Sequence, residues 1–231
     1  MADQKFMGDE LLTEHPLPTN ESPLSKIFEM QKLFGSKFCN FDSLVKVKTV
    51  EDPAWSLKEE WHRKFLDCIS DECSEVLNWL PWKHWKDYSK FEIKPLELKF
   101  ELIDILHFVV SELLLCGYTP EDLCKIMLDV PVGKNCPTDL EKLMTHAVSE
   151  SFLKDDPYYK EEKAEATIRG LRNLHITLGE CYKYTYRKSL YVTLFYHLLV
   201  LFGIWDMTAQ DVYSYYMSKN KENFDRQARG Y

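Results

Sequence analysis

Apolar residues recur along most of this chain at intervals of three and four, the spacing of one buried face on an α-helix. Nowhere do they alternate over a useful length, as a half-buried strand requires. Leu24, Ile27, Phe28, Phe34 and Phe38 follow the helical rhythm with Gln31 set into the same stripe, and Ser22 followed by Pro23 supplies a cap and a first turn. A long helix is predicted from Ser56 through Leu80, buried along Trp61, Phe65, Cys68, Ile69, Val76 and Leu80, with Pro81 ending it. Pro95 opens the next helix, which runs to Cys116 with Gly117 as its stop. Its apolar positions wrap almost all the way round, through Leu102, Ile103, Ile105, Leu106, Val109, Val110, Leu113 and Leu114, so it lies inside the molecule. Thr119 caps a short helix from Pro120 to Leu128, and Pro131, Gly133 and Pro137 mark a loop. Helices then follow from about Thr138 to Leu153, Glu161 to Gly179, Tyr186 to Phe202 and Thr208 to Asp225, with Gly203 read as a stop and Thr208 as a cap. The expected fold class is all-α, a multi-helix bundle without internal repeats.

Composition narrows the rest. Residues 1–23, with Pro16, Pro18 and Pro23 among polar residues, read as a flexible N-terminal tail, and 24–231 as one domain. A net charge of -8, from 29 basic and 37 acidic residues, excludes general affinity for a nucleic-acid backbone. A phosphate-bearing ligand therefore needs a metal or a local basic cluster. Seven cysteines without a C-x-x-C, among them Cys68, Cys73, Cys116, Cys124 and Cys181 within apolar helical patterns, read as reduced thiols of a cytoplasmic or nuclear protein. No secretory leader is recognisable. The apolar runs 103–116 and 190–205 are interrupted by His107, Ser111, Glu112, Thr193 and His197, so a soluble protein without membrane contact is expected.

Within this helical frame, Glu72 and Glu75 share one face in the C-terminal half of the long helix ending at Pro81, and Glu101 and Asp104 share a face of the next helix. Acidic pairs at this spacing are common, since 37 acidic residues in 231 produce roughly six by chance. Two pairs inside strongly apolar helices are rarer. If the helices pack antiparallel the four carboxylates converge into an oxygen-rich site for hard divalent cations such as Mg2+. Carboxylate-x-x-His spacings, Asp104 to His107 and Glu59 to His62, leave a di-iron bundle oxidoreductase as a competitor, although His62 lies nearly three turns before Glu72. Near the other end of the chain, Lys219, Asn223 and Arg226 fall on one face of the last helix and suit phosphate oxygens. Acid at one place and base at another point to a nucleoside di- or triphosphate.

These blocks resemble the all-α dUTPases, the dimeric family within the all-α nucleoside triphosphate pyrophosphohydrolases. The resemblance is carried by E-x-x-E (Glu72, Glu75) followed by PWKHWK (Pro81 to Lys86), by ELIDILHF (Glu101 to Phe108), by SKNKENFDRQARGY (Ser218 to Tyr231) and by EMQ (Glu29 to Gln31). It implies hydrolysis of dUTP, and of dUDP, to dUMP by a homodimer using two or more Mg2+ ions per site, with Mn2+ as an alternative. It implies metal ligation by Glu72, Glu75, Glu101 and Asp104, with Glu72 or Glu75 orienting the attacking water. Gln31 then reads the base and Phe108 packs against it. His84 or Trp85 faces the nucleotide, while Lys83 or Lys86, with Lys219, Asn223, Arg226 and Tyr231, holds phosphate. The family usually has Asn one turn after the glutamine, where this chain has Gly35, with Asn40 a substitute only if the helix ends early. Its C-terminal motif also commonly continues beyond Gly-Tyr. A pyrophosphohydrolase for dCTP or another nucleotide, and a non-catalytic nucleotide-binding protein, are the remaining readings.

Overall fold

A computed structural model describes residues 15–16, 22–130, 138–156 and 158–230. They form nine α-helices: α1 (Pro23–Gly35), α2 (Phe41–Leu44), α3 (Trp55–Asn78), α4 (Pro95–Cys116), α5 (Pro120–Met127), α6 (Leu140–Glu150), α7 (Lys163–Lys183), α8 (Lys188–Ile204) and α9 (Ala209–Ala228). A 3-10 turn, Phe152–Asp155, follows α6, and there is no strand among the described residues. The all-α expectation therefore holds.

The helices end where local chemistry allows. Ser22 accepts from the Ser25 amide at the start of α1, and Thr119 and Thr208 form capping boxes with Asp122 and Asp211. Gly117 closes α4 in the left-handed conformation, φ 80°, as its sequence position predicts. Gly203 has a different role from the predicted stop: α8 continues to Ile204, and a Cβ at 203 would lie 2.2 Å from the Val148 side chain of α6. It is a close-approach glycine, and the left-handed residue after the helix is Asp206, φ 49°. Helix α7 likewise passes through Gly179 to Lys183, because Leu178 and Cys181 bury the last turn. The loop markers Pro131, Gly133 and Pro137 lie outside the described residues, as does most of the N-terminal tail.

Helix α4 is the hub. It packs on α3, α8, α9 and α1, while α8 also meets α7 and α6. Side chains from all these helices fill one core, with Tyr191, Phe195, Phe202 and Tyr216 its largest fully buried members. A satellite core of Cys39, Phe41, Leu44, Phe65 and Leu115 sits under α2. Late α3 meets early α4 at Glu72 and Glu101, and early α3 meets late α4 at His62 and Glu112, so the pair runs antiparallel. No single helix among the described residues is long and apolar enough to cross a membrane.

Candidate active site

The antiparallel α3–α4 pair brings together Glu72, Glu101 and Asp104, whose carboxylate oxygens lie within 4.8 Å of one another. Glu75 sits outside this trio on the exposed rim, close enough for its charge to act on all three. All three carboxyls hold their protons more tightly than in water, first because they are buried and further because neighbouring carboxylates repel them, Glu75 among these in every case. Burial, then the charges of Asp104, Glu75 and Glu101, pushes the Glu72 carboxyl up to about 8. Burial lifts Glu101 to about 7 although Trp79 Nε1 donates to its Oε1 at 3.1 Å. Asp104 rises by burial to about 6 while Lys219 holds it back. A cluster of oxygen donors that resist ionisation without a counter-charge fits a hard divalent cation such as Mg2+.

Helix α9 supplies the counter-charge, because it packs on both α1 and α4. Lys219 Nζ lies 2.7 Å from Asp104 Oδ2 and 3.8 Å from Glu222 Oε2, and Arg226 pairs with Glu222 one turn on at 2.5 Å. Thus Lys219 reaches the acidic site, as the basic face of the last helix requires, while Arg226 is held half-exposed by its own helix neighbour. Asn223 is half-buried on this helix, and Tyr231 lies outside the described residues.

One turn before Lys219, Tyr216 links the acid site to Gln31. The Tyr216 hydroxyl donates to Gln31 Oε1 at 2.7 Å, and Gln31 Nε2 donates to Ser111 Oγ at 2.8 Å. Gln31 is thus a buried amide with both ends engaged, rather than a polar edge residue. His107 stacks on the Tyr216 ring with centroids 4.3 Å apart and uses Nδ1 on the Ile103 carbonyl. Burial pushes the His107 imidazole down to about 4, so it is neutral at ordinary pH. Phe108 follows Glu101 and Asp104 along one face of α4 and is half-buried between the two cores.

Gly35 explains its own departure from the expected asparagine. A Cβ there would lie 2.5 Å from the Phe41 ring, so α2 fills the space that a side chain would need. Asn40 does not compensate, because its Oδ1 caps α2 by accepting from the Ser43 amide. The 81–86 link lies elsewhere: Trp82 and His84 line a cleft of about 550 Å3 against Ile168, Leu171, Arg172 and His175 of α7. Trp85 is 68% exposed, and Lys83 and Lys86 stand over the rings of Trp82 and Tyr88. None of the four carboxylates, Gln31 or Phe108 lines that cleft. Neither histidine of the di-iron reading joins the trio, since His62 bonds Glu112 and His107 bonds the Ile103 carbonyl, while Glu59 pairs with Arg63 at the surface.

A family model described as dUTPase matches residues 23–231. The chain belongs to the all-α dUTPase family. Its class of chemistry is that of a nucleotide pyrophosphohydrolase. This dUTPase-family chain is also 29% identical to the dCTP pyrophosphatase of Enterobacteria phage T4 over 136 residues, 48% of this chain and 77% of that protein. A DNA replication protein of the same phage shares 29% identity over 136 residues, which span only 33% of that protein. No solved structure matches.

Four participants in this dUTPase-family site carry little or no signal in the sequence: Trp79, Ser111, Tyr216 and Glu222. Trp79 has a usable one, an indole just before the helix-ending Pro81 and opposite an acidic pair. The partners Ser111 and Tyr216 are 80 and 185 residues from Gln31, beyond any local spacing rule.

Proposed function

We propose that the chain hydrolyses dUTP, and dUDP, to dUMP with Mg2+ held by Glu72, Glu101 and Asp104 and by Glu75 at the rim. The observation that carries this reading is the convergent carboxylate trio, whose members rise to about 8, 7 and 6, chiefly because they are buried. When bound, the metal supplies charge neutralisation for the phosphate chain and a lowered pKa for its water. Every other part is the chain's own. Glu75, exposed and outside the trio, orients the attacking water and accepts its proton. Lys219 is positioned to exchange Asp104 for a phosphate oxygen when metal takes over the carboxylates. Gln31, held by Tyr216 and Ser111, presents the polar edge of the base pocket, and Phe108 its apolar face.

The deciding experiment is pyrophosphate release from dUTP, dCTP, dTTP and UTP in parallel, with Mg2+ and with EDTA. An EDTA-sensitive preference for dUTP is the expected result, and a flat or absent response sinks the proposal. One observation favours a second reading: the phage dCTP pyrophosphatase is similar over half of this chain, and Phe41 fills the place beside Gly35. Preference for dCTP would leave the metal machinery unchanged and reassign the base. A homodimer is part of the proposal, supported by the exposed Trp82, Trp85 and Ile176 about the α7 cleft, and light scattering on the purified chain decides it.

A further inference from the structure

At the opposite end of the α3–α4 pair, roughly 12–15 Å along the helices from the carboxylate trio, lies a cluster of different chemistry. His62 Nδ1 is 2.5 Å from Glu112 Oε2, and one donor atom each from His62, Glu112 and Cys116 lies within 4.8 Å of the others. All three residues are buried, at 2%, 0% and 3% exposure. Glu112 and Cys116 are one turn apart on α4, and His62 meets them from α3.

Two further observations point to a missing occupant. Glu112 Oε1 is fully buried and has no hydrogen-bond partner, an arrangement that native interiors avoid. A cavity of about 30 Å3, room enough for a water molecule, touches both His62 and Cys116. It is also lined by Lys48 and the exposed Tyr186, which give it a way out to solvent.

We infer that His62, Glu112 and Cys116 form a second metal site, for a borderline divalent ion such as Zn2+, with a water from the adjoining cavity as fourth ligand. Imidazole nitrogen, carboxylate oxygen and thiolate sulfur are the donors this ion takes, and four-coordination matches three side chains plus one open position. Closing donors now up to 4.8 Å apart around such an ion asks for a shift of about 1 Å in side-chain ends. Metal displaces the proton in the Nδ1 to Oε2 hydrogen bond and the proton on the thiol, so loading releases acid. Lys58 and Lys188 are tied to the carbonyls of Val47 and Cys116, which sets two ammonium groups beside the cluster. Those groups repel every divalent cation alike, so occupancy rests on the bond to sulfur, which hard cations make poorly. The site clasps early α3 to late α4 and is independent of the nucleotide chemistry.

Co2+ added to the intact chain under excess Mg2+ reads the site directly. The expected result is one equivalent bound with intense tetrahedral visible bands and a thiolate-to-cobalt band in the near ultraviolet. Glu72→Gln keeps this spectrum, Cys116→Ser loses the thiolate band, and His62→Ala weakens Co2+ binding by about tenfold or more. A wild-type spectrum without the thiolate band, or an unchanged band in Cys116→Ser, overturns the inference. Should Cys116→Ser not fold, X-ray absorption of the Zn2+-loaded wild type decides: a sulfur at about 2.3 Å is expected, and a shell of nitrogen and oxygen alone overturns it.

Discussion

At the Glu72 end of the α3–α4 pair, four carboxylates share a single reaching lysine, while at the His62 end one carboxylate meets an imidazole, a thiol and two lysines. Both ends are built from the same two helices and both bury charge. The acidic end cannot satisfy itself, so its members hold protons into the neutral range. The mixed end comes close to balance within the chain, leaving one orphaned oxygen. An interior that tolerates repulsion at one place and pairs charge at another separates a site kept for an outside cation from one that also holds the fold together.

The contrast is broken most directly by Glu72→Gln. Pyrophosphate release should fall by about 10³-fold, while the metal-free protein at pH 7 melts no lower than wild type, because glutamine stands in for a carboxyl that is already protonated there. A stability loss comparable to the activity loss would mean that the trio is structural. His62→Ala tests the other end. It strands Glu112 in the core and should cost about 3–5 kcal/mol in urea unfolding, with turnover per folded molecule retained.

The acidic end also sets a pH dependence whose sign can be stated. Glu72 loses its proton near 4.5 when unfolded but near 8 when folded, so between those values the folded state binds more protons. Its contribution is therefore fully present at low pH and is lost as pH rises through the folded pKa. Melting of the metal-free protein should fall across this window, saturating Mg2+ should flatten the slope, and Glu72→Gln should remove its share of it, leaving those of Glu101 and Asp104, whereas His62→Ala should leave it intact. Smaller still is Tyr216→Phe, which leaves Gln31 Oε1 without its donor. About 1–2 kcal/mol is expected, together with weakened discrimination between dUTP and dCTP. Glu60→Ala, which cuts an exposed ion pair with Lys64 on the outer face of α3, should change stability by no more than about 0.5 kcal/mol.

How much is legible in the sequence depends on the range of the forces involved. Helix periods, the caps at Ser22, Thr119 and Thr208, and the stop at Gly117 are local, and all can be read directly. The acidic pairs stand out because they interrupt apolar helices, and their convergence needs only an antiparallel pairing. Gly203 misleads because a glycine late in a helix looks alike whether it ends the helix or admits Val148. Spacing pairs His62 with Glu59, yet its partner is Glu112, 50 residues away. The helix face of Lys219 suggests a phosphate ligand, but no rule of spacing shows that Asp104 holds it. Base-pocket expectations for His84 and Trp85 come from the resemblance alone, and the fold sets His84 against α7.

Counted from the sequence, the molecule carries -8, a sum that takes every carboxylate as ionised. With Glu72, Glu101 and Asp104 titrating near 8, 7 and 6, the metal-free protein at pH 7 retains roughly one and a half protons in that one cleft. A divalent ion that expels them raises the overall charge by only about half a unit. Metal loading is therefore almost invisible to electrophoresis and plainly visible to calorimetry, where the heat of binding tracks the ionisation enthalpy of whichever buffer receives the protons.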